Sequence, residues 1–261
     1  MAVTAPDEDI RGQDPARGRV EMLDLLRGGS MILVVIYHIL YDLKFIYRLD
    51  IPRFLIPGQP EIEAVHICFL WVLFGVSGIC SGFSRNSLKR GVALYILGFG
   101  ITMVTAFFMP EELIVFGVIS CFGACMCITS LLQPVLDKIL WQGRFIGAVV
   151  LWFVLRSFHR GGEIDLIFTR FYLPVPDCDF LYPIGIKGAN FRSSDYFPLI
   201  PYLFMFLAGN ALYKPVSERR LPGWFYKVKS GFAGFIGRHT LAIYVIHQPI
   251  ILLALGILFG A

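Results

Sequence analysis

Apolar residues fill long stretches of this chain, and polar residues collect in the gaps between them. Seven such stretches stand out, at about 23–46, 62–84, 91–109, 113–132, 139–157, 196–213 and 239–260. Each approaches the ~20 residues that a helix needs to cross a hydrocarbon core. None shows the period-2 alternation of a barrel strand, and open strands would leave backbone groups unpaired in lipid. The pattern therefore predicts an all-α fold: a polytopic membrane helical bundle of about seven transmembrane helices, forming a single domain over 20–261. Residues 1–19 are polar and charged, lack the apolar core of a signal peptide, and are expected to be a disordered cytoplasmic tail. The longest connection, about 159–195, holds Pro174, Pro176 and Pro183 together with Tyr172 and Tyr182. Connections of this length are usually functional or disordered, and this one is too aromatic for disorder. It is expected outside the membrane, as a lid over the bundle or a re-entrant segment. No internal repeat is visible, which counts against an inverted-repeat transporter.

Composition strengthens the membrane reading. The chain is 56% hydrophobic and only 16% charged, with a mean hydropathy of +0.68; soluble domains carry roughly 25% charged residues. The net charge of +4 matters less than its placement. Basic residues gather in the tail (Arg11, Arg17, Arg19), the second connection (Arg85, Lys89, Arg90), the fourth (Lys138, Arg144) and the sixth (Lys214, Arg219, Arg220, Lys227, Lys229, Arg238). With seven spans these all fall on one side, which the positive-inside rule makes the cytoplasm. The N-terminus is then cytoplasmic and the C-terminus outside, with the plasma membrane as the expected location. No basic stripe interleaves with aromatics on a polar surface, so nucleic acid is not an expected partner; membrane lipids are. The six cysteines form no C-x-x-C pair and read as small buried apolar residues. No metal-binding spacing occurs among the histidines, and neither a metal nor a tightly held cofactor is expected.

Candidate chemistry concentrates in the first span. Asp24 and Arg27 stand near its start, and His38, Tyr41 and Asp42 near its end. Ionisable residues are costly in a bilayer and persist mainly where they line a protein-enclosed cavity or act on something. Eleven residues separate Arg27 from His38, about 16 Å along a helix. His38 and Asp42, four apart, share a helix face, with Tyr41 at their flank. A carboxylate beside an imidazole fixes its tautomer and stabilises its charged form, as a general base requires. Asp24 and Arg27 are either an i,i+3 ion pair or part of a ligand site. Asp195, before the sixth span, is either a helix cap or a site residue on the same outer side as Asp42. His247, in His247-Gln248-Pro249, is either a packing residue or a donor exposed by a proline kink. His66 opens the second span. Ser77 lacks the G-x-S-x-G context of a nucleophile. His159 and His239 lie near span ends, where solvation is the default.

Four stretches resemble a known family: LDLLRG…YHILYD at 23–42, FGVSGICSGFSRNSLKRG at 74–91, DYFPLIPYLFMFLAG at 195–209 and GRHTLAIYVIHQP at 237–249. The first is similar to the opening helix of the transmembrane acyltransferase clan. Together they resemble the family of the catalytic domain of heparan-α-glucosaminide N-acetyltransferase over nearly all of 20–260. The resemblance implies an enzyme that moves an acetyl or related acyl group from acetyl-CoA or another acyl-CoA, its co-substrate, to a sugar or glycan acceptor at the membrane. In the eukaryotic enzyme the active histidine follows the first span on the non-cytoplasmic side. Here His38 lies within that span and is taken as the active residue, with His66 second. His38 then serves as general base oriented by Asp42, or carries the acyl group itself. Arg27, Arg85, Lys89 and Arg90 are the candidates for the donor's phosphates; for the last three, positive-inside topology is the plainer explanation. The competing class is a transporter or lipid-handling protein that uses the same polar cavity without covalent chemistry.

Overall fold

A computed structural model describes residues 19–166 and 169–260, so most of the expected tail lies outside the described residues. The chain is built from helices α1 (Glu21–Tyr41), α2 (Pro60–Gly82), α3 (Ser87–Phe108), α4 (Val118–Leu136), α5 (Trp141–Leu155), α6 (Leu199–Ser217), α7 (Gly223–Lys227), α8 (Gly231–Arg238) and α9 (Thr240–Phe259). A two-stranded antiparallel hairpin, β1 (Glu163–Asp165) with β2 (Arg170–Tyr172), interrupts them. Local signals explain several boundaries. α2 opens with Pro60 in its first turn and carries Glu61 and Glu63 there, where the missing N–H is harmless and negative charge is favoured. α9 runs on past Pro249 and ends at Gly260, whose φ of 68° suits a left-handed cap.

Five helical stretches are long and apolar enough to cross a membrane: Glu21–Ile46, Arg53–Gly82, Ser87–Phe108, Val118–Leu136 and Thr240–Phe259. The other two expected spans differ. α5 is apolar but has only 15 residues. In α6, Asn210, Lys214, Pro201 and Pro215 interrupt the apolar surface, and much of the helix is buried in the bundle. Outward faces suit lipid: on α3, Ile96, Phe99, Val104 and Phe107 are exposed while Gly91 and Gly98 are buried.

Contacts between helices fix their directions. Tyr37 of α1 meets His66 and Phe69 of α2 at one end, and Leu23 clusters with Val76, Ile79 and Val216 at the other. α1 and α2 are therefore antiparallel. Gly75 and Gly78 of α2 meet Gly209 and Phe206 of α6, backbone against backbone, in the same chain direction. Gly237 of α8 lies on the Asp24 carbonyl of α1, and Gly28 lies on Ala233. Near the far end of α1, Tyr47 donates to the Leu252 carbonyl of α9 at 3.4 Å. The α8–α9 arm thus runs alongside α1 in the same direction. Small residues let helices approach this closely where lipid tails supply no hydrophobic drive to associate. Aromatic packing fills the centre: the buried Phe74 stacks on Phe122 at 4.2 Å and lies 5.1 Å from Tyr202.

The long connection is ordered where described. Asp165 accepts from Ser157 at 2.6 Å and pairs with Arg156 and Arg170 at 3.1 and 3.3 Å, which fastens the hairpin to the end of α5. The Ser157 hydroxyl, helped by those guanidiniums, holds its carboxyl below the usual aspartate range. Further on, Ser194 and Phe197 donate backbone hydrogen bonds to Leu113 and Phe116, so the segment leading into α6 lies along the α3–α4 connection.

Gly209 offers a test of the packing. Gly209→Val would drive a side chain into the Gly75 backbone and should cost about 1–3 kcal/mol, seen as a lower thermal midpoint in detergent. Gly100→Val, whose Cβ would meet nothing, should leave the midpoint unchanged.

Candidate active site

The polar residues of α1, α2 and α9 converge at the end of the bundle read as outer. The adjacency of His38 and Asp42 on one face does not become a hydrogen bond. At Asp42 the α-helix gives way to a wider π-helical turn, Asp42–Ile46. The Asp42 carboxylate is completely buried and accepts from Nε2 of Gln248, at 3.1 and 2.9 Å to its two oxygens. A buried carboxylate is costly unless paired, and the α9 amide meets that need. His38 instead packs edge-on against His247, with ring centroids 4.8 Å apart. Tyr41 packs on Phe45 at 4.8 Å and has no bond to either neighbour. The expected His38–Tyr41–Asp42 unit is thus replaced by two cross-helix pairs, His38 with His247 and Asp42 with Gln248.

His247 is oriented from its own helix. Its Nδ1 lies 2.5 Å from the Tyr244 carbonyl, which makes Nδ1 the protonated nitrogen and Nε2 a lone-pair acceptor. That Nε2 is buried without a hydrogen-bond partner. Unsatisfied buried acceptors are uncommon in native proteins and call for an explanation.

Asp195 closes the same cluster from the segment before α6. It does not cap α6. Its Oδ2 accepts from the Tyr244 hydroxyl at 3.2 Å and, more weakly, from the backbone N–H of Val118 at 3.4 Å, so it sits at the first turn of α4. Gly117, the residue before that turn, has no room for a Cβ beside the carboxylate. The helix N-terminus favours the anion. Burial nevertheless pushes the carboxyl above the ordinary aspartate range, against the lowering pull of Val118 and Tyr244. A cavity of about 30 Å³ opens here, lined by Asp195, Tyr244, Gly98, Gly117 and Ser120 among others.

On the other side of His38, its neighbour Tyr37 stacks on His66 at 4.4 Å with 27° between the rings. The Tyr37 hydroxyl donates to Glu63 at 3.4 Å, and Glu63 lies 3.5 Å from Nδ1 of His66. Tyr37, Glu63, Tyr244 and Gln248 all belong to the cluster and were not singled out from sequence. The i,i+3 spacing of Glu63 and His66 at a helix start was the available signal.

The charged pair at the start of α1 is also rearranged. Asp24 pairs with Arg19, whose Nη2 donates at 2.9 Å, and not with Arg27. Arg27 is half-buried, and no hydrogen bond or ion pair involves it among the described residues. Arg85 on the α2–α3 connection and Lys89 and Arg90 in the first turn of α3 are exposed, at the same end of the bundle as Arg27 and opposite the histidines. His239 marks the break between α8 and α9, its Nδ1 2.9 Å from the Phe235 carbonyl. Half-buried His159 sits in the long connection, where burial pushes its imidazole down to about 4. No group of three metal-ligating side chains forms among the described residues.

The Asp42–Gln248 bond can be isolated by a double-mutant cycle. Gln248→Leu strands a buried carboxylate and should cost about 1–3 kcal/mol. Adding Asp42→Leu should recover most of that loss, because removing both partners is far milder than removing one. Thermal midpoints of the two single variants and the double variant in nanodiscs measure the coupling.

A family model described as heparan-alpha-glucosaminide N-acetyltransferase, catalytic, matches residues 19–249. The chain belongs to that family. No curated protein and no solved structure matches it. Membership supports an integral-membrane, acetyltransferase-like function in general terms.

Proposed function

We propose that this member of the heparan-α-glucosaminide N-acetyltransferase catalytic family transfers an acetyl or similar acyl group from acyl-CoA to a sugar or glycan acceptor. The observation that carries the proposal is the convergence of His38, His66 and His247 with Asp195 and Tyr244 at one depth, from segments far apart in sequence. Burying this many titratable groups together is costly, and a bundle that needed only stability would use apolar residues instead.

His38 is the group that meets the acyl carbon. It has no carboxylate partner to hold it as a base, and its ring faces the His247 ring, whose Nε2 is open. A nitrogen of neutral His38 attacks the thioester carbonyl, and the carbon–sulfur bond breaks. The N–H proton of His38 passes to His247 and finally to the departing thiolate, which leaves as the free thiol. The acceptor then attacks the acyl-imidazole. Asp195 and Tyr244 act on this step by holding α9 and hence His247 in place; Asp42 does so through Gln248. Tyr41 has no role. At the far end, Arg27, without a polar partner among the described residues, offers a forked donor set to an anionic group, with Arg85, Lys89 and Arg90 as an outer rim. The ~16 Å from Arg27 to His38 along α1 suits a donor with an anionic end, a long flexible arm and a reactive tip.

Purified protein in nanodiscs, given radiolabelled acetyl-CoA and glycan fractions, tests the proposal. His38→Ala should insert normally and lose transfer by about 10²–10⁴-fold. Without acceptor, the wild type should retain label on His38 and the variant should not. Wild-type protein that consumes no acetyl-CoA while moving solutes would favour the transport reading. Arg27→Gln should raise KM for acetyl-CoA about tenfold, a loss of roughly 1.4 kcal/mol, with kcat little changed.

A further inference from the structure

Among the described residues, the histidine with a carboxylate at its ring is neither His38 nor His247 but His66. Glu63 stands 3.5 Å from its Nδ1. Asp42 is committed to Gln248, and His247 gives its Nδ1 proton to a backbone carbonyl. A surface ion pair in the first turn of a helix would account for an i,i+3 Glu–His contact alone, but three further features do not fit that account. Glu63 is also gripped from outside α2, by the Tyr37 hydroxyl of α1 at 3.4 Å and the backbone N–H of Gly58 at 3.1 Å. The His66 ring stacks on Tyr37 and lies 5.1 Å from Phe69, with its side chain only 19% exposed, so its orientation is fixed. Finally, Tyr37 is the sequence neighbour of His38, which sets this unit beside the proposed acyl-bearing histidine, 6.1 Å ring to ring from Tyr37.

We propose that Glu63 is a positioning residue that holds His66 with Nδ1 protonated and Nε2 free, and that His66 takes the proton of the acceptor in the second half of the reaction. This rests on the acyltransferase reading above and divides it between two histidines. In the first half, His38 takes the acyl group from the thioester. In the second, the acceptor oxygen or nitrogen forms its bond to the acyl carbon, the carbon–nitrogen bond to His38 breaks, and the electron pair returns to His38. The proton leaving the acceptor goes to Nε2 of His66. Glu63, with a side chain 39% exposed, stabilises the imidazolium until the proton is passed on to His38, whose ring regains the N–H it gave up in the first half. Tyr37 and Gly58 fix the carboxylate as second-tier donors.

The test separates the two half-reactions in full-length protein in nanodiscs. Glu63→Ala should still form labelled acyl-enzyme from radiolabelled acetyl-CoA at the wild-type level. Its transfer of that label to the glycan fraction should slow about 100-fold, with KM for acetyl-CoA within about twofold of wild type. Glu63→Asp should recover much of the rate. In ¹⁵N-histidine-labelled protein, His66 should read as the Nδ1–H tautomer in the wild type and as a mixture in Glu63→Ala. Unchanged label transfer, or equal loss of both half-reactions, overturns the division of labour. A tautomer unaffected by Glu63→Ala overturns the positioning role even where turnover falls. If wild-type protein forms no acyl-enzyme and transfers no label, the acyltransferase reading fails and the acceptor role of His66 goes with it. The tautomer measurement then still decides whether Glu63 governs His66.

Discussion

A buried carboxylate on α1 has to find a hydrogen-bond donor, and it finds one on the last helix of the chain. Asp42 is fully enclosed and bonded by Gln248. In a low-dielectric interior such a bond is strong when made and expensive when broken. It fixes the axial register of α9 against α1. Because His38 precedes Asp42 by four residues and His247 precedes Gln248 by one, that register brings the two imidazoles together. The contact between histidines is a consequence of the carboxylate's need for a partner, so the candidate site depends on a pair that does not itself contain a histidine.

The bond acts at one end of a long seam whose other end is held differently. There α8 lies on α1 through Gly28 and Gly237, backbone to backbone. Glu21 accepts from both the N–H and the hydroxyl of Ser230 at 2.8 and 3.0 Å, just before α8. Close glycine packing resists sliding because any side chain on either surface would collide. The α8–α9 arm is thus pinned twice along α1. Asp195 supplies a third restraint by tying Tyr244 of α9 to the start of α4. Three polar contacts and one glycine seam position His247 to within a ring's width of His38, in a bundle where lipid offers no hydrophobic drive for helix association.

The sequence made some of this plain and left some hidden, for a physical reason. Long apolar runs announced membrane helices because the bilayer sets their length, and the basic connections gave a consistent sidedness. Counting residues along helices placed His38 in the outer half of the first span and Asp195 on the same outer side as Asp42. What counting could not give was partnership. His38 and Asp42 do lie one turn apart, as Asp24 and Arg27 lie three residues apart, but lateral neighbours from other helices claimed each of them. Asp42 went to Gln248 and Asp24 to Arg19. A single helix offers one stripe of neighbours, whereas a bundle offers several, and a buried charge pairs with whichever donor can reach it. Tyr37 shows the same limit: on α1 alone it is an aromatic in an apolar run, and only the approach of α2 makes it a link between His38 and His66. The span count shows a related limit, since α6 is largely buried by its neighbours and can carry Asn210, which a lipid-facing helix could not.

The arrangement also separates two kinds of charge that would otherwise defeat each other. The half-buried Arg27 and the exposed Arg85, Lys89 and Arg90 occupy one end of the bundle; the cluster of histidines, Glu63 and Asp195 occupies the other. Placed together, the guanidiniums would draw the carboxylates into ion pairs, leaving the imidazoles without partners. Held at opposite ends of the bundle, the cations remain available to an anion and the carboxylates remain available to tyrosine, histidine and amide donors. Interior charges interact over such distances far less than at contact, so each end keeps its own chemistry. Under the acyl-transfer reading proposed above, a donor that engages both ends would need an anionic terminus and an electrophilic one on a flexible arm.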